Sequence, residues 1–205
     1  MDAMEDPRCE VLVLGIGNLL WADEGFGVRC VEKLVAEWSL PPEVRAMDGG
    51  TQGLYLLPYV QGAQRLIVFD AIDYGLPPGT MKRIEGDEVP RFMGAKKMSL
   101  HQTGFQEVIA AADLTGKLPR ELLLIGVQPE ELEDYGGSLR PAIKARLDDA
   151  VSIAVDALRG WGFEVEPRKD SVGSGEAALA MSAYEAGRPS AEAASRIGDA
   201  RFLAA

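Results

Sequence analysis

The stretch CEVLVLGIGNLLWADEGFGVRCVEKLVAEW (residues 9–38) limits the possible folds more than any other part of the chain. It begins with an apolar, Val/Leu-rich run that ends in glycines, the pattern of a strand buried on both faces. From Glu24 the period changes: Val28, Val31, Leu34, Val35 and Trp38 recur at helical spacing and stop before Pro41 and Pro42. The alternation then continues. EVRAMDGG (43–50) reads as a second strand, GLYLLPYV (53–60) as a short helix with Pro58 near its end, and RLIVFDAI (65–72) as a third, fully apolar strand. PPGTMKRIEG (77–86) is a more polar strand expected at an edge, followed by a helix over Gln102–Leu114 and the strand ELLLIGVQP (121–129). Ile143, Leu147, Val151, Val155 and Leu158 mark one long amphipathic helix from Pro141 to Arg159. Strands alternating with helices imply right-handed crossovers, so the expected fold class is α/β: a three-layer α/β/α sandwich around a mostly parallel, twisted central sheet.

A chain of 205 residues and 22.1 kDa suits one well-cored domain, expected over residues 1–168. Residues 169–205 turn rich in Ala, Ser, Gly and Glu, with few large apolar side chains. Such a segment buries little and is expected to be a mobile or marginally helical tail, dispensable for activity.

Charge removes several classes of function. With 21 basic against 32 acidic residues the chain carries −11, which repels phosphate backbones and anionic lipid, so neither nucleic-acid nor membrane-surface binding is expected. The N-terminal MDAMEDPRCE has no apolar signal-peptide core, and the longest apolar runs are too short to span a bilayer. Cys9 and Cys30 form no CxxC and no paired framework, which fits a reducing cytoplasm, and Cys30 reads as a small core residue. GIGNLL starts like a dinucleotide fingerprint, but Leu20 stands where the third glycine is needed and Asp48 lies too far on, so no organic cofactor is expected. There is no G-x-S-x-G elbow, no pepsin-like Asp-Thr-Gly pair, and nothing that marks Ser99 as an activated hydroxyl.

In an open parallel sheet, functional groups gather beyond the carboxyl ends of the strands. Four polar segments fall there: GIGNLLWADEGFG, DGGTQG, Asp70 at the end of an apolar run, and SLHQTG. The last holds His101, the only histidine in the chain. Asp70 is expected to emerge partly desolvated at the sheet rim, with a perturbed pKa. Glu24, Asp70 and His101 make a mixed oxygen/nitrogen set that suits a divalent transition ion and leaves coordination positions open. Each also has a plainer role: Glu24 with Asp23 at a helix N-terminus, Asp70 as a turn cap, His101 as an ordinary loop residue. Residue patterns alone leave both readings open.

Taken in order, VLVLGIGNLLWADEGFGVRCVEKL, DGGTQGLYLL, LIVFDAID, PGTM, LHQTGF and LIGVQPE resemble the hydrogenase maturation endopeptidases, above all those serving uptake-type nickel–iron hydrogenases. The likeness runs from Cys9 to Pro167 and leaves the tail uncovered. It implies an endopeptidase that removes a short C-terminal peptide from the hydrogenase large-subunit precursor after nickel insertion. It also implies that nickel arrives bound to that precursor. The family's metal-contacting glutamate, aspartate and histidine fall on Glu24, Asp70 and His101. Asn18, Asp48, Gly49, Gly50 and Thr51 match family motifs and are assigned to shaping the cleft and binding the extended peptide. The family is classed as aspartic-type, which leaves two roles for the carboxylates. Asp70 or Glu24 serves as general base, or both only read the metal. A monomer acting in the cytoplasm is expected. A non-catalytic chaperone of the loaded precursor and an unrelated zinc-type metallohydrolase are the rival readings.

Overall fold

The structure, a computed structural model, describes residues 6–95, 100–132, 134–169 and 181–187. The leading apolar run forms β1 (Cys9–Ile16), and a one-turn 3-10 helix at Ala22–Gly25 leads into α1 (Phe26–Glu37). Next come β2 (Trp38–Ser39), β3 (Val44–Gly50), α2 (Leu57–Gly62) and β4 (Ala63–Ala71). Then follow β5 (Met81–Glu85), α3 (Glu88–Ala95), α4 (Leu100–Leu114) and β6 (Glu121–Val127). The described chain ends with α5 (Pro141–Lys144), α6 (Leu147–Gly160), β7 (Glu166–Pro167) and α7 (Met181–Gly187).

Five strands form the central sheet in the order β3-β1-β4-β6-β5. β1 runs parallel to β3 and β4, β4 runs parallel to β6, and the more polar β5 closes one edge antiparallel to β6. Alternate side chains enter two separate cores. Val11, Val13, Ile67, Phe69, Leu123 and Ile125 pack under α1 and α6. Leu12, Leu14, Leu66, Val68, Leu122 and Leu124 pack under α2 and α4. Because side chains alternate, a slip of one residue would exchange both sets at once, so the two cores together fix the register. This is the expected three-layer sandwich, and Cys30 lies fully buried in the α1 core as expected.

Several local expectations change. The helix expected over Pro141–Arg159 is two helices, broken at Ala145 and Arg146, where bonds such as Arg146 N–H to the Ile143 carbonyl tighten to 3-10 spacing. Asp148 and Asp149 then open a new first turn, where their charge favours the helix dipole. Pro58 stands at the start of α2 rather than near its end, because a missing N–H costs nothing in a first turn. Trp38 leaves the helical pattern to pair with Pro167 in a two-stranded ribbon. Helix α3 was not expected from the sequence. Helix α4 begins at Leu100, so His101 lies in a helical first turn and not in a loop.

Of the segment expected to be a tail, most lies outside the described residues. The part seen beyond Lys169, α7, docks on the body. Met181 packs against the α1 core, Arg29 stands 5.9 Å from the Tyr184 ring centre, and Glu185 accepts bonds from Lys144 (2.8 Å) and Ser138 (3.0 Å). Among the described residues no helix is long and apolar enough to cross a membrane.

Candidate active site at the carboxyl rim of the sheet

Glycines bring the rim together. Chain segments can approach more closely there than any side chain would allow. A Cβ on Gly17 (φ 137°) would stand 1.8 Å from the Glu24 carbonyl, so the 3-10 turn bearing Glu24 folds back onto the end of β1. One turn on, a Cβ on Gly27 would stand 2.3 Å from the carbonyl oxygens of both Ile16 and Phe69. The start of α1 therefore lies on the ends of β1 and β4, next to Asp70. Both carboxylates are enclosed there, Glu24 with 7% and Asp70 with 1% of its surface exposed.

The loop after β3 joins the same rim. Gly17 donates its N–H to the Gly50 carbonyl at 3.1 Å, which ties Asp48–Thr51 to the loop of Asn18. Asn18 accepts the Leu20 N–H at 3.0 Å through Oδ1, closing a tight turn around itself. Partial burial pushes the Asp48 carboxyl above its ordinary value, against the opposing pull of the Gly50 N–H. Gly49 is buried against Ile16, Gly50 takes the left-handed φ of 46°, and Thr51 stands exposed. Farther along, a Cβ on Gly104 would lie 3.4 Å from the Gly53 Cα, an ordinary van der Waals distance, so α4 packs beside the β3 loop at this pair of glycines. His101 precedes Gly104 by three residues, roughly 4.5 Å along the helix axis, so its backbone is at this rim. Its side chain lies outside the described residues, as do Lys96–Ser99 just before it.

Asp70 projects toward the α4 face, on the same side as Leu66 and Val68. Its partner across the β4–β6 ladder is Gly126. The space a side chain would take there is filled by the Tyr74 phenol, whose Oη lies 1.8 Å from an ideal Gly126 Cβ. Burial drives that phenol far above its ordinary pKa and the Asp70 charge adds to the rise, so the hydroxyl keeps its proton.

Two supporting residues escaped the sequence reading. Asp23 is fully buried and does not serve as a helix-dipole partner. Its Oδ2 accepts the N–H groups of Glu130 (2.8 Å) and Glu131 (2.9 Å), and its Oδ1 accepts that of Arg140 (2.7 Å). These bonds anchor the turn in which Ala22 holds a φ of 33°, a conformation that costs a non-glycine residue about 1–2 kcal/mol. Gln128, just beyond β6, accepts the N–H groups of Tyr74 (2.6 Å) and Leu76 (3.1 Å) and donates to Asp73 (3.0 Å). Both residues bind backbone or side chains more than 50 positions away, and no local motif announces such partners.

The rim thus gathers Glu24, Asp70 and the helical turn of His101 beside the Asp48–Thr51 loop. Among the described residues no three His, Cys, Asp or Glu side chains form a metal cluster, and the His101 side chain is not among them. Two carboxylates with one imidazole suit nickel or another borderline divalent ion.

Comparison with known proteins places this geometry in context. Residues 28–157 match the family described as hydrogenase maturation protease, a range that includes Asp70 and His101 and begins just after Glu24. The hydrogenase expression/formation protein HoxM of Cupriavidus necator is 59% identical over 197 residues, covering 94% of this chain and 98% of its own. The hydrogenase 2 maturation protease of Escherichia coli is 42% identical over 160 residues, covering 78% of this chain and 96% of its own. A solved structure of the E. coli hydrogenase-maturating endopeptidase HybD superposes with a TM-score of 0.74 at 42% identity, covering 79% of this chain and 99% of that one.

Proposed function

The chain belongs to the hydrogenase maturation proteases, and from that premise we propose that it cleaves its substrate only after reading a metal through Glu24, Asp70 and His101. It is a peptidase of the large-subunit precursor of a nickel–iron hydrogenase, from which it removes the C-terminal peptide. The precursor brings the nickel as cargo, held by its own thiolates. The three side chains complete the coordination, so an unloaded precursor lacks the group that the site recognises.

One observation carries this reading: the turn of Glu24 and the end of β4 are pressed together at the rim that also receives the first turn of α4. In the cleavage step, Asp70 or Glu24 takes a proton from a water held near the metal. The resulting hydroxide adds to the scissile carbonyl, the C–N bond breaks, and the departing amine takes up a proton. This is aspartic-type chemistry without a pepsin-like pair. Asn18 and the Asp48–Thr51 loop hold the extended peptide alongside. The protein acts as a cytoplasmic monomer, with Cys9 and Cys30 both kept as free thiols.

The test is purified precursor, with and without nickel, incubated with this protein and read by mass spectrometry. Cleavage is expected only with nickel, and loaded precursor left at full length would defeat the reading. With His101→Ala the loaded precursor should stay uncut while the variant keeps its fold. Asp70→Asn separates the two carboxylate roles: bound but uncut precursor assigns a base, whereas lost binding assigns a metal reader.

A further inference from the structure

Tyr74 and Gln128 belong to neither the metal-reading set nor the peptide-binding loop, yet they form a built structure against Asp70. The Gln128 side chain is 6% exposed, and its amide bonds converge on residues 73–76. Its backbone closes the far end of the same loop, donating to the Thr80 carbonyl (2.8 Å) and accepting the Gly79 N–H (2.9 Å). The loop is thus tied at both ends to the residue that follows β6. This holds the Tyr74 ring against the α4 core with its hydroxyl buried above Gly126.

Gly126 and Asp70 are directly paired in the ladder, and paired residues on parallel strands send their side chains to the same face. Neighbouring strands lie about 4.8 Å apart, so the phenol above Gly126 and the Asp70 side chain are neighbours on one face of the sheet. A glycine at 126 is the condition for this placement, because any Cβ there would displace the hydroxyl.

We propose that Tyr74, clamped by Gln128 in the space left open at Gly126, is the positioning residue that aims the Asp70 carboxylate at the substrate's metal and scissile bond. The inference rests on the reading of Asp70 given above and adds a specific means of holding it. A phenol filling the space above Gly126 takes up the β6 side of Asp70, and that bulk and polarity limit where its carboxylate can turn. A phenol suits this task because its ring fills core space while its tip is polar.

The experiment measures processing of nickel-loaded precursor under saturating and subsaturating conditions, with wild-type protein in parallel. Tyr74→Phe keeps the ring and removes only the oxygen. We expect an unchanged circular dichroism spectrum, kcat lowered at least about tenfold, and KM within about twofold of wild type. Gly126→Ala leaves the phenol intact but pushes its tip aside, and it should lower kcat to a similar extent. A Tyr74→Phe enzyme with kcat within about twofold of wild type would overturn the inference. So would a loss confined to KM, or a Gly126→Ala enzyme of normal kcat. If wild-type protein itself leaves the loaded precursor uncut, the proposed function fails instead, and the two failures are distinct.

Discussion

At the height of Asp70, the two faces of the sheet are finished in opposite ways. On the α1 face, Gly15 and Gly27 let helix backbone rest directly on strand backbone, with carbonyl oxygens where side chains would otherwise stand. On the α4 face at the same level, no such closure is seen among the described residues. Asp70 and the tip of Tyr74 occupy the space, and α4 leans instead on the β3 loop at Gly53. One face is sealed by main chain and tolerates nothing new. The other is filled by polar side chains and carries Asp70, one of the residues proposed to act on the substrate. The same fold thus supplies a rigid back and an adaptable front to one rim.

Matched glycine substitutions sharpen this contrast. Gly27→Ala drives a methyl into two main-chain carbonyls that cannot turn away, so it should cost about 3 kcal/mol, read by urea denaturation. A loss below about 1 kcal/mol would break the idea of a sealed back. Asp23→Asn comes next. It removes a buried charge from three N–H bonds and should cost about 2 kcal/mol while slowing processing, because the turn of Glu24 loosens. Gly126→Ala, on the adaptable face, meets only the tip of a side chain and should cost about 1 kcal/mol. Combining it with Tyr74→Phe should recover part of that loss, and strictly additive costs would show that the phenol does not fill the space.

The smallest effect is expected at α7, behind the sealed face. Lys144 and Ser138 hold the Glu185 carboxyl below its ordinary value of 4.5, with Lys144 the larger cause. A depressed carboxyl stabilises the docked helix above the pKa it has when released, and that contribution fades as pH falls through its docked value. The bridge is partly exposed, so at most about 1 kcal/mol is at stake. Amide protection factors for Met181–Gly187 should therefore be lower at pH 3.5 than at pH 6, and equal values would contradict the pairing.

How much of this could be read from sequence follows from where the partners lie. β1, β4 and β6 announce themselves because doubly buried strands need unbroken apolar runs, and Asp70 stands out as a charge ending one of them. The break between α5 and α6 is silent because the apolar period continues across it, although the hydrogen bonds do not. Helix α3 carries Pro90 and Gly94 within eight residues, which hides it from any propensity argument. Asp23 beside Glu24 looks like half of an acidic pair, and only the return of the chain at Glu130, Glu131 and Arg140 marks Asp23 as a scaffold carboxylate, distinct from the role proposed for Glu24. Gln128 was visible within a recognised motif, but its task depends on a loop 52 to 55 positions away.

The contact of Gly53 with Gly104 brings two segments of the rim side by side. Gly53 and Gly104 face each other with no side chain between them, so the loop beyond Thr51 and the helix that carries His101 are packed neighbours. On the proposed reading, the segment that holds the peptide and the one that meets its ion therefore share a border. A chain seated on that loop, as proposed, would pass directly beside the helix that carries the imidazole.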